Sequence, residues 1–118
     1  MSIEAPVPFP TGQTGPAIAE VTAFQRAELS VILSVYGRMV AAGEWRDYAI
    51  SHGREVAVFA IFRRSAETPL YRIEKRPKLR LKQGLYAVLG ENGQVLRRGH
   101  ELDQLMRIFD KKLIRPVG

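Results

Sequence analysis

The pattern of hydrophobic and polar positions changes period along the chain. Between residues 24 and 40, Phe24, Val31, Ile32, Val35, Tyr36, Met39 and Val40 recur at helical spacing, and Leu29 and Leu33 widen the apolar arc beyond an ordinary stripe. This predicts a helix that is mostly buried. Thr22 and Gln25 have the spacing of a capping box at its start, and Gly43 stands where a left-handed residue can end it. Arg26, Ser30, Ser34, Gly37, Arg38 and Ala41 remain for the other face, whose small residues would let a second backbone approach.

From Trp45 onward the period falls toward two. Residues 45–51, 55–64, 70–76, 85–89 and 94–98 are short, rich in β-branched and aromatic residues, and separated by turn signals at His52-Gly53, at 66–69, at Pro77 and at Asn92-Gly93. They read as strands joined by short turns. Asn92-Gly93, between AVLGE and QVLRR, fits a two-residue type I′ hairpin turn, whose central residues both need positive φ. Helical spacing returns at 101–113 with Leu102, Leu105, Met106, Phe109 and Leu113; acids stand at its start, Lys111 and Lys112 at its end, and Pro116 stops it. The predicted fold is α+β: an antiparallel β-meander of four to five strands packed by an N-terminal and a C-terminal helix.

Residues 1–21 carry four prolines, two glycines and no usable period, which predicts a disordered leader ahead of one domain over residues 22–118. An apolar share of 46% and a charged share of 25% are those of a chain with a packed core. Cysteine is absent, so disulfides, a thiolate nucleophile and Cys-ligated metal are excluded. The N-terminus has no basic segment followed by an apolar stretch, and the most apolar run, 31–42, is too short and too polar to span a bilayer. A cytoplasmic protein with no membrane partner is expected.

Charge changes the picture more than composition does. The net charge is +6, but the first 22 residues hold only Glu4 and Glu20, so the rest carries 18 basic against 10 acidic residues. The stretch RIEKRPKLRLKQG, residues 72–84, places six cations in thirteen positions. Strand parity would send Arg72, Glu74 and Arg76 to one side and Tyr71, Ile73 and Lys75 to the other, with Pro77 ejecting Lys78, Arg80 and Lys82 from the sheet. One reading is protection of an exposed strand edge by Lys, Arg and Pro. The other is a surface for nucleic acid or another polyanion, made of Arg63, Arg64, Arg72, Lys75, Arg76, Lys78, Arg80, Lys82, Arg97 and Arg98, with Tyr71, Tyr86 or Phe59 stacking on bases.

Other chemistry has little support. The two histidines, His52 and His100, lack a ligand at metal-binding spacing, and no nucleophile elbow, P-loop or GxGxxG occurs. GEWRDY, residues 43–48, gathers Glu44, Arg46 and Asp47 beside Trp45; acid–base catalysis competes there with a core tryptophan whose neighbours Arg46 and Asp47 pair at the rim. No cofactor is implied.

The stretches ELSVILSVYGRMVAAGEWRDYAI, FRRSAETPLYRIEKRPKL and QGLYAVLGENGQVLRRGHEL make the chain similar, over residues 23–115, to the small alphaproteobacterial proteins grouped as domain of unknown function 2794. That resemblance implies a bacterial, cytoplasmic setting and carries no activity, cofactor or catalytic residue. The residues themselves point to a non-enzymatic, basic binding module for nucleic acid or another polyanion. The alternative is a protein–protein adaptor or homodimer, using the small-residue face of the first helix or an exposed strand edge.

Overall fold

A computed structural model describes residues 21–64 and 67–110. The expected leader, apart from Val21, and the last turn and stop of the second helix at 111–116 lie outside them. Five strands, β1 (Asp47–His52), β2 (Ala57–Phe62), β3 (Tyr71–Lys75), β4 (Tyr86–Leu89) and β5 (Val95–Gly99), form one antiparallel sheet in the order β1-β2-β3-β4-β5. The predicted meander is thus present with all five strands. Two helices, α1 (Arg26–Ala41) and α2 (Leu102–Met106, continued by a 3₁₀ turn at Arg107–Phe109), pack on one face.

Strand alternation decides which face. In β2, Ala57, Phe59 and Ile61 are buried and Val58, Ala60 and Phe62 only half-buried, so the odd positions meet the helices. Ile73 and Val88 continue that row, since Phe59 pairs with Ile73 and Ile73 with Val88. Ile32, Val35 and Met39 of α1 and Leu102, Leu105, Met106 and Phe109 of the C-terminal segment close the core over them. Trp45 fills the end of this layer, its ring edge-on to Phe109 at 4.9 Å and tilted against Tyr36 and Tyr71.

The ends of α1 follow local chemistry, with one change of register. Gln25 is the N-cap, and the carboxylate of Glu28 accepts its backbone N–H at 2.6 Å. Thr22 therefore does not cap the helix: its N–H donates to the Gly53 carbonyl and its hydroxyl to that of Arg54, tying the entry segment to the β1–β2 turn. At the other end Gly43, at φ 79°, donates to the Val40 carbonyl while Glu44 donates to that of Met39, the paired bonds of a Schellman motif. Burial of α1 is narrower than its composition predicts: Leu33 and Val40 are exposed.

Two other expectations change. The β4–β5 turn is a three-residue loop, with Gly93 donating to the Gly90 carbonyl, Gly90 to that of Gln94, and Gly93 at φ 82°. A bulge beside it shifts the register between Val88 and Leu89. The edge-protection reading of the basic run fails, because its strand, β3, is the central strand of the sheet. The edges are β1 and β5.

Candidate functional site

The six cations of residues 72–84 reach four different environments. Lys75 points toward the helices, where its ammonium donates to Glu28 Oε1 and to the Ala23 carbonyl, each at 2.9 Å. Arg72 and Arg76 take the opposite face, and the Arg76 Nε donates to Glu74 at 3.0 Å. Lys78 pairs with Glu55 at 3.1 Å across the neighbouring turn. Arg80 and Lys82 stand exposed on the helical turn that follows Pro77–Leu79.

Lys75 belongs to the one buried polar cluster of the helix-facing layer among the described residues. Glu28 on α1 takes hydrogen bonds from the Tyr86 hydroxyl, the Lys75 ammonium and the Gln25 N–H. Burial alone would raise the Glu28 carboxyl, but these three donors outweigh it and hold it below its ordinary value. Burial and then the facing carboxylate push the Tyr86 hydroxyl well above the ordinary tyrosine range. Glu28 is therefore ionised and Tyr86 neutral near pH 7, and the cluster locks the start of α1 to β3 and β4. The reading of residue types along the chain missed Glu28, although its place in the core stripe 28, 32, 35, 39 was visible.

The aromatic candidates are lost to the core. Tyr86 is buried with its hydroxyl taken by Glu28, Phe59 is fully buried, and Tyr71 packs on Phe109 at 5.0 Å and on Trp45 at 6.1 Å. None presents a free face to a base. Phe62, half-buried at the end of β2 and out of phase with Phe59 and Ile61, stands on the opposite side of the sheet instead. The alternation of β2 marks it.

That opposite side is covered by no described element. Its cross-strand rows follow from the register: Ala49, Ala60, Arg72 and Leu89 in one, and Ser51, Val58, Glu74, Ala87 and Arg98 in the next. Small side chains floor its β1–β2 side, where Ala49 and Ser51 are exposed and Ala60 is half-buried; on β4, Ala87 and Leu89 are buried, and Arg72, Arg76 and Arg98 stand around them. Arg72 and Arg98 form no ion pair with another described residue. The Glu74 side chain lies low between them at 7% exposure, held by Arg76.

The remaining candidates lie apart from this face. Arg97 turns to the helix layer and donates to the Gln104 carbonyl at 3.4 Å. Arg63 and Arg64 join Arg46, Glu44 and the rim of Trp45 around a cleft of about 620 Å³ at the end of the sheet, with Arg64 also 3.6 Å from Glu67. In GEWRDY, Trp45 is core as one of the two readings held, but Asp47 accepts the Tyr48 N–H at 2.8 Å and has no ion pair with Arg46. Ser30, Ser34 and Arg38, the small-residue face of α1, line a groove whose other wall is the chain's own Asp103, Met106 and Arg107.

Among the described residues no cluster of three or more His, Asp or Glu side chains could hold a metal ion, and no helix is long and apolar enough to cross a membrane. No curated protein and no solved structure matches the chain. The family model described as "Protein of unknown function (DUF2794)" matches residues 22–106, which takes in the whole sheet, α1 and α2, and the chain belongs to that family.

Proposed function

We propose that this protein is a non-enzymatic module that binds a polyanion, a nucleic acid strand, on the open face of its sheet. The observation that supports this is the placement of Arg72, Arg76 and Arg98 on a sheet face that no described element covers, beside the small, accessible Ala49 and Ala60. Small residues let a flat or extended ligand approach the backbone. Guanidinium groups bind phosphate oxygens in pairs, and arginine sheds its water more readily than lysine. Phe62 supplies an aromatic surface at the end of the same face, in the way base-stacking side chains do on other sheets.

Mechanistically, Arg72 and Arg98 are the phosphate contacts, and Arg76 is divided between Glu74 and the ligand. Glu74 fixes the Arg76 guanidinium and opposes non-selective charge accumulation on the face. Exposed Arg80 and Lys82 extend the positive field beyond one end of the strands and attract the ligand from a distance.

Retention of single-stranded DNA or RNA as a function of salt tests the proposal. About three to four phosphate contacts give a log–log slope of roughly −2 to −3 for a single strand. Arg72→Glu with Arg98→Glu should flatten the slope and abolish retention in a folded protein. Phe62→Ala should weaken binding by about 1–3 kcal/mol if a base stacks there. A wild type that retains neither strand at low salt, or a double reversal that binds as well as wild type, refutes the proposal.

A further inference from the structure

The two edge strands of the sheet are built differently. β5 carries Arg97 and Arg98 and has a bulge in its pairing with β4, the devices that discourage a new strand from adding. β1, with the sequence DYAISH, has neither: residues 48–51 are uncharged and exposed, and their outward backbone groups face no other described strand. Such an edge is a template for pairing.

A helix flank lies directly over this edge. Leu29, Leu33, Tyr36 and Val40 follow one another on α1 at spacings of four, three and four, and the Tyr36 ring meets that of Tyr48 on β1 edge-on at 4.9 Å. Leu33 (38% exposed), Val40 (41%), Tyr48 (39%) and Ile50 (38%) are half of the large apolar side chains exposed among the described residues. The Tyr36–Tyr48 contact joins the two rows, strand below and helix above. Scattered exposed apolar residues need no explanation, but a contiguous patch beside an unguarded edge does.

The geometry points to a homodimer in which β1 pairs antiparallel with β1 of a second copy and the α1 flanks of the two copies pack above the junction. Three features select a second copy over an extended peptide. A peptide strand would satisfy the edge of β1 but leave Leu33 and Val40 in water, whereas a second copy brings a strand and a helix together. A two-fold axis normal to the sheet keeps both helix layers on the same side, so partners across the junction share a face; pairing Tyr48 with Ile50 of the other copy, around Ala49, meets that condition. That register also sets Asp47 of each strand beside Ser51 of the other and Ala49 beside Ala49, so no like charges oppose one another across residues 47–51. The result is a continuous ten-stranded sheet whose open faces lie side by side, doubling the basic surface.

Sedimentation equilibrium of the full chain at rising concentration tests the dimer. The expected mass is that of two chains, falling twofold with Leu33→Lys or with Ile50→Lys; both sites are exposed, so folding, checked by circular dichroism, should survive. Ser34→Arg, in the groove between α1 and α2, should leave the dimer intact. Amides of residues 48–51 should gain protection from hydrogen exchange as concentration rises. A wild type that stays monomeric at high micromolar concentration overturns the inference. So does a dimer that survives both lysine variants, or one that is lost with Ser34→Arg alone. Because nucleic-acid retention is read on the opposite face, failure of either idea leaves the other standing.

Discussion

The Tyr86 hydroxyl donates a hydrogen bond to the carboxylate of Glu28 across 58 positions of sequence, joining the fourth strand to the first turn of the first helix. The bond stands in a layer otherwise built from apolar side chains, and Lys75 shares the same carboxylate. Removing one member leaves a buried polar atom without its partner, which costs more than the bond itself contributes. Tyr86→Phe should therefore lower the unfolding free energy by about 1–3 kcal/mol. Glu28→Ala, which strands the Lys75 ammonium as well, should cost about 3–5 kcal/mol. Urea denaturation of the two variants beside wild type measures both; equal stability of all three would mean the cluster contributes nothing.

The same cluster sets a pH dependence with a definite sign at each end. The folded Glu28 carboxyl lies below its ordinary value, so its contribution is complete above about pH 4.3, the unfolded value, and fades as pH falls through the lower folded one. The folded Tyr86 hydroxyl lies above its ordinary value, so its contribution is complete below about pH 10 and is lost as pH rises beyond the unfolded value toward the folded one. The stability difference between wild type and Glu28→Gln should narrow in acid, and that between wild type and Tyr86→Phe should narrow in strong alkali. Melting curves across pH 2–11 show either trend; a difference independent of pH contradicts the linkage.

Two glycines in left-handed or related backbone separate conformational from steric cost. Gly84, at φ 121°, lies so close to β5 that an added Cβ would sit 2.9 Å from the carbonyl carbon and oxygen of Gly99. Gly93, at φ 82°, has only the tip of Arg72 near it, at 3.7 Å. Gly93→Ala should cost about 1–2 kcal/mol, the price of a left-handed alanine. Gly84→Ala adds a clash with backbone and should cost about 3 kcal/mol or more. Thermal unfolding ranks them, and the reverse order would show that the β4–β5 turn constrains the fold more than the Gly84–Gly99 approach at the opposite end of that hairpin.

The clearest strand was legible because β2 is a half-buried surface, and alternation in a stretch such as AVFAIF is a local property of the chain. The same parity separated Lys75 from Arg72 and Arg76 correctly. Strand order is not local, so RIEKRPKLRLKQG read as a guarded edge although β3 is central, and residues 48–51 of the edge strand β1 carried no charge to draw attention to them. Leu33 and Val40 read as core because an apolar residue on a wide arc looks the same whether its neighbour is the sheet or water. Tyr71 and Tyr86 read as stacking groups for a related reason: period two says that residues share a face, not which face the helices take.

The last prediction separates the structural cations of residues 72–84 from those proposed to bind. Lys75, with 12% of its side chain exposed and two bonds to the start of α1, is structural: Lys75→Met should reduce stability by about 3–5 kcal/mol, since it leaves Glu28 with a buried and partly uncompensated charge. Lys78 forms an exposed pair with Glu55, and Lys78→Ala should cost about 0–1 kcal/mol. Arg80 and Lys82 stand in solvent, and replacing either by Ala should change stability by about 0.5 kcal/mol or less. Arg72→Ala and Arg98→Ala should likewise spare stability, yet weaken retention of single-stranded nucleic acid more than Arg80→Ala or Lys82→Ala, which lie beyond the open face and act at a distance. Measuring unfolding and salt-dependent retention on the same five alanine or methionine variants and on Arg98→Ala gives two independent rankings. If the ligand follows the open face, Lys75→Met heads the first and Arg72→Ala with Arg98→Ala the second. If Arg80 and Lys82 head the second instead, the ligand binds the turn after β3 and the sheet face is not its track.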